Sequence, residues 1–89
     1  MSWYKNSFRK LFFDFHTQST AVDVARDFDA GAWAGQLLKA HVQAVSIIAK
    51  CGFGWRYYHK GSVGWVHPKL PHGLDLVGET LNACHGLGI

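Results

Sequence analysis

The sequence predicts an α/β fold, a β-α-β-α segment in which two parallel strands are each followed by a helix. Three observations carry that expectation. Short runs of strand-forming residues alternate with stretches of helical spacing. The second apolar run has no polar face, as parallel strands covered on both sides tend to read. The connection between the runs holds a helix, as a right-handed crossover between parallel strands requires.

"KLFFDFH", residues 10–16, reads as strand one. Period two sets Leu11, Phe13 and Phe15 on an apolar face, and Phe12, Asp14 and His16 on a face that turns polar toward its end. "TQSTAVDVARD" follows as loop. "FDAGAWAGQLLKAH" reads as a helix capped by Asp29, with a stripe of Trp33, Leu37 and His41 beside Ala34 and Leu38. Gly31 and Gly35 each weaken it by about 1 kcal/mol relative to alanine and are expected to allow close packing on a sheet.

"AVSIIAKC", residues 44–51, is strand two, ending in Lys50 and Cys51. Residues 52–73 read as one long loop holding five aromatics, three histidines and both prolines. Such a loop inside a compact domain is functional or disordered, and its aromatics argue against disorder. "LDLVGETLNACHGLG" is the second helix, capped by Asp75. Its stripe is Val77, Leu81 and Cys84, flanked by Leu76, Thr80 and Leu87, with Gly86 or Gly88 as the stop.

Two βα units leave two open sheet edges and little area to bury. The order matches the first quarter of a (β/α)8 TIM barrel, which runs to about 250 residues. Residues 10–89 are therefore expected to be a partial barrel behind an N-terminal extension of residues 1–9. In isolation it is expected to self-associate through the open edges.

Composition narrows the function classes. The chain of 89 residues sets a ceiling of one domain, and 48% hydrophobic with 17% charged residues excludes disorder. The net charge of +3 is spread along the chain without a block of like charges, which argues against a nucleic-acid partner. No apolar run nears the roughly 20 residues of a membrane span. "MSWYKNSFRK" has no apolar signal region, so neither export nor a membrane partner is expected. Cys51 and Cys84 read as buried free thiols of a reducing, cytoplasmic compartment, with a disulfide between them as the alternative.

In a barrel, the active site forms at the C-terminal strand ends. Asp14 and His16 end strand one, Lys50 and Cys51 end strand two, and the aromatic loop follows. Lys50 and His16 can donate to ligand oxygens; the competing reading is a structural pair of Asp14 with Lys50. Trp55, Tyr57, Tyr58 and Trp65 each offer an apolar face with a polar handle, which suits stacking on sugars; the competing reading is that they pin the loop. His59, His67 and His72 lack zinc spacing, and no P-loop, GxSxG or GxGxxG occurs, so no metal or cofactor is expected.

The segments "FFDFHT", "DFDAGAWAGQLLKAHVQAVSIIAKCGFGWRYY", "VHPKL" and "DLVGETLNACHGLGI" resemble the opening of a family of hypothetical glycosyl hydrolases related to the α-L-fucosidases. The resemblance runs from about Leu11 to Ile89. It implies that His16 stands at a strand-one histidine that helps bind the sugar, and Lys50 at the lysine ending strand two. Gly54 and Trp55 match a glycine–aromatic step, while Gly52 and Phe53 replace histidines that donate to sugar hydroxyls. The two carboxylates of a retaining glycosidase, about 5 Å apart, are implied to come from later strands.

The resulting expectation is part of a carbohydrate pocket in a glycoside hydrolase-like barrel. Its substrate-binding residues would be Asp14, His16, Lys50, Trp55, Tyr57 and Tyr58, with a glycoside as partner. No catalytic residue falls in these positions, and the chain alone is expected to hydrolyse nothing. The rival expectation is a non-catalytic carbohydrate-binding or interaction module derived from a barrel remnant.

Overall fold

Two short strands, β1 (Lys10–Phe13) and β2 (Ala44–Ile47), pair in parallel with Leu11 opposite Val45 and Phe13 opposite Ile47. Helix α1 (Ala30–Lys39) lies between them in sequence. After β2 come two strands of two residues each, β3 (Trp55–Arg56) and β4 (Trp65–Val66), and then helix α2 (Leu76–Gly86). This arrangement is taken from a computed structural model that describes residues 5–14, 17–59 and 65–89.

The expected parallel β-α-β order is present, and both caps form as the sequence predicts. The Asp29 carboxylate accepts the Ala32 N–H at 3.0 Å, and that of Asp75 accepts the Gly78 N–H at 2.9 Å. Glu79 returns the favour at the second cap by accepting the Asp75 N–H at 3.1 Å, so two otherwise orphaned donors are satisfied. Both strands are shorter than expected. β1 stops at Phe13, and Phe15 and His16 lie outside the described residues.

Packing corrects three expectations. In α2 the buried line is Leu76, Thr80 and Cys84, one position round from the expected stripe, and Leu81 is 45% exposed. His41 does not extend the α1 stripe. It sits beyond the C-cap in a left-handed conformation, φ 61°, where the helix unwinds and Val42 N–H closes onto the Leu37 carbonyl at 3.0 Å. Nor do the α1 glycines meet the sheet: a Cβ on Gly35 would have nothing within 4 Å. Ala34 and Leu37 make the close contact instead.

Two apolar clusters result. One joins Ala34 and Leu37 of α1, Val42 of the connection between α1 and β2, and Cys84 of α2, with Phe13 and Val45 of the sheet packed on them. Phe13 meets Trp33 edge-on at 4.9 Å between ring centroids. The other lies beneath the loops that follow β1 and β2 and holds Val24, Cys51, Tyr57, Leu70 and Leu76. The opposite face of the sheet carries Phe12, which is 61% exposed, beside exposed Ser46. Among the described residues, no further strand joins either edge of the β1–β2 pair.

Replacing Asp29 with alanine removes the α1 cap and is expected to lower the unfolding free energy by about 1 kcal/mol. Urea denaturation of the variant beside the parent reads this directly, and coincident midpoints would show that the cap contributes nothing.

Candidate functional site

The residues at the end of β2 do not form a structureless loop. Tyr57 N–H donates to the Ala49 carbonyl at 3.0 Å, and Cys51 N–H donates to the Trp55 carbonyl at 3.0 Å. These bonds fold residues 49–57 into a small antiparallel hairpin, in which Lys50 bridges to Arg56. Gly54 N–H closes the turn onto the Cys51 carbonyl at 2.9 Å. Gly54 has φ +93°, so the last of the three loop residues needs the left-handed freedom of glycine. β3 and β4 then pair in parallel, Trp55 with Trp65 and Arg56 with Val66.

Three loops are tied together beneath this hairpin. The Tyr57 hydroxyl accepts the Thr17 N–H at 3.3 Å, which anchors the segment after β1. The His67 ring stacks on Tyr57 with centroids 6.0 Å apart. His67 Nε2–H is shared between the carbonyls of Thr17 at 3.1 Å and Gln18 at 3.0 Å, while its Nδ1 accepts the Lys69 N–H at 3.0 Å. Tyr57 and His67 are both fully enclosed.

Cys51 belongs to the same cluster. Burial pushes its thiol up, but hydrogen bonds from the Tyr57 hydroxyl and from backbone groups of Trp55, Phe53 and Thr17 outweigh it, and the thiol falls from 9.0 to about 7. Burial raises Tyr57, reinforced by its bond to Cys51, and burial raises Cys84. Both cysteines are free, so no disulfide joins them.

The expected site residues divide by environment. Asp14 is exposed just past β1, Lys50 is exposed in the hairpin three residues past β2 rather than at its end, and Trp55 and Tyr58 are half-buried in and after β3. Tyr57 has no exposed surface, and its visible work is to hold Thr17 and Cys51. His16 lies outside the described residues. Thr17, Arg56 and His67 join the site although the spacing of residue types did not single them out. The signal for Arg56 was the stretch "KCGFGWR", whose glycine closes a three-residue turn between two cations.

One cavity borders the site at Thr17, and another lies beside His59 and His72. The first, of about 350 Å³, is apolar and sits between the sheet and the helices, lined by Phe13, Phe28, Trp33, Ile47 and Leu76 among others. None of the expected site residues lines it. The second is about 400 Å³, and its two histidine rings stack with centroids 6.0 Å apart. His59 Nε2–H donates to the Pro71 carbonyl at 2.7 Å. Among the described residues no group of three or more histidines, cysteines or carboxylates is placed to hold a metal ion. No helix among them is long and apolar enough to cross a membrane.

Comparison with solved structures finds a fucosidase. The chain is similar to α-L-fucosidase isoenzyme 2 from Paenibacillus thiaminolyticus, with a TM-score of 0.84 and 31% sequence identity. The match covers 93% of this chain and 12% of that one. No family model matches the sequence, and no curated protein matches it. The fold is thus that of a segment of a fucosidase, a small mixed α/β unit of two helices and short strands.

The lowered Cys51 thiol ties stability to pH. It ionises near 7 folded and near 9.0 unfolded, so its contribution is complete above 9 and is lost as the pH falls through 7. The raised Cys84 and Tyr57 act with the opposite sign, above their ordinary values of 9.0 and 10.0. Denaturation midpoints should therefore climb between pH 7 and 9 in the parent and climb less in Cys51→Ala. Equal slopes in the two proteins would show that the thiol is not held low.

Proposed function

We propose that the chain is the opening β-α-β-α stretch of a glycoside hydrolase-like (β/α)8 barrel of the α-L-fucosidase kind, and that it contributes part of a carbohydrate pocket. The observation that carries this reading is the match to the Paenibacillus enzyme across 93% of the chain. The exposed Phe12 face supports it, since the inner face of a barrel sheet is covered only when further strands close the ring. Self-association through the same edges is the expected behaviour of the isolated chain, and a reducing, cytoplasmic setting suits its two buried free thiols.

In this reading the pocket lies at the C-terminal strand ends. Lys50 donates to sugar hydroxyls, with Asp14 as an acceptor beside it and His16 as a further donor. Trp55 and Tyr58 stack on the apolar face of the ring, and Tyr57 positions the wall they belong to. Hydrolysis needs two carboxylates across the glycosidic bond, and Asp14 is the acid these strand ends supply. The chain therefore binds sugar weakly and turns over no glycoside.

Titration of the isotopically labelled chain with L-fucose at millimolar concentration is expected to shift the amide signals of Lys50, Trp55 and Tyr58. Trp55→Ala should weaken binding severalfold, the equivalent of about 1 kcal/mol. A nitrophenyl fucoside should release no nitrophenol. Shifts confined to another surface, or none, would refute the pocket, and measurable turnover would refute the division of labour with later strands.

A further inference from the structure

The apolar cavity of about 350 Å³ is walled by both helices, by β1 and β2, and by the loop after β1. Phe13 and Ile47 end the two strands opposite one another in register, on the side of the sheet that packs against the helices. Apolar residues on that side are ordinarily covered. Phe13, Phe28, Trp33 and Ile47 are each only half-buried, and all four line the cavity.

Much of the wall is aromatic. Trp33 stands edge-on to Phe13 at 4.9 Å and tilted against Phe28 at 6.2 Å between centroids, so three rings brace one another around the space. Val24 and Leu76 add aliphatic surface from the loop-side cluster. Ala25, also in the lining, is held at φ 54°, a left-handed conformation that is unfavourable for alanine, so the loop forms this wall at a cost in backbone strain.

The polar groups narrow the ligand further. Thr80 lies in the lining and is only 4% exposed, so its hydroxyl offers a bound molecule one hydrogen bond within apolar surroundings. Asp23 is the charged residue of the lining, and it is exposed at the lip, 3.8 Å from Arg26, which also lies 4.0 Å from Asp27. The lining therefore contains no cation to meet an acid group, which would lose its hydration on entry. A sugar would lose hydroxyl hydration against walls of carbon in the same way. An apolar cavity of about 150 Å³ accepts benzene, and this one has room for two fused rings.

We propose that the cavity between the sheet and the helices binds a neutral aromatic molecule of two fused rings carrying one hydrogen-bonding group. The site is separate from the carbohydrate pocket and does not rest on it.

The test is titration of the isotopically labelled chain with 2-naphthol, naphthalene and 2-naphthoate at neutral pH. 2-Naphthol is expected to shift the Trp33 indole N–H and the Val24, Ile47 and Leu76 methyl signals, and to raise the thermal midpoint. It should bind about tenfold or more tightly than 2-naphthoate, whose carboxylate would enter without a partner. Thr80→Val keeps the volume and removes the hydroxyl, so it should weaken 2-naphthol severalfold and leave naphthalene unchanged. Val24→Phe places a ring in the cavity and should abolish binding while keeping the circular dichroism of the parent. If that variant fails to fold, the Thr80→Val comparison decides. Absent binding, shifts confined to the exposed Phe12 face, or equal affinity for 2-naphthol and 2-naphthoate overturns the proposal. So does parent-like binding by Val24→Phe, or an unchanged 2-naphthol affinity in Thr80→Val.

Discussion

The Tyr57 hydroxyl is the point through which the upper half of the molecule is held. It accepts the Thr17 N–H and donates to the Cys51 sulfur, while His67 stacks on the ring and reaches the Thr17 and Gln18 carbonyls. The loop after β1, the hairpin after β2 and the segment leading to α2 therefore meet in one hydrogen-bonded cluster. Strands of four residues are too short to set the positions of such loops by pairing alone. Satisfied polar groups in a buried site are directional, and they specify one arrangement where apolar contact would admit several.

That cluster also explains how so small a sheet supports two cores. The helix-side cluster draws on Phe13, Ala34, Leu37 and Cys84, and the loop-side cluster on Val24, Cys51, Tyr57 and Leu70. α2 spans both, with Leu76 in the loop-side cluster and Cys84 in the helix-side one. The loops are thus clamped from below by a helix and from above by the polar bonds. What remains most open is the face of the sheet that carries Phe12, which is largely exposed.

The caps, the parallel pairing and the order of the main elements were legible in the sequence because each follows from local rules. Asp29 and Asp75 precede helical spacing, and a helix lies between the two apolar runs, although the exposed Ser46 shows that the second run is not covered on both faces as expected. The rotation of α2 was not legible, because Thr80 is a poor guess for burial when Leu81 stands beside it. β3 and β4 were not legible either: two residues each carry no period, and their pairing joins positions ten apart. Which aromatic is buried was equally hidden. Tyr57 and Tyr58 are adjacent and identical, and only the partners of the hydroxyl, distant in sequence, separate them.

The hairpin's alternation links its structural and chemical faces. Cys51, Trp55 and Tyr57 contribute to the loop-side cluster, and the interleaved Lys50 and Arg56 form the pair opposite one another. In an antiparallel ladder a slip of one residue exchanges the two faces. The register here is set by the turn, and the turn depends on the left-handed Gly54. A side chain at that position would strain the backbone and favour a loop of another length. The cations would then turn toward the core, where their charge is costly, and Tyr57 would lose Thr17. One glycine thus decides both whether the loops are latched and which chemistry the strand end presents.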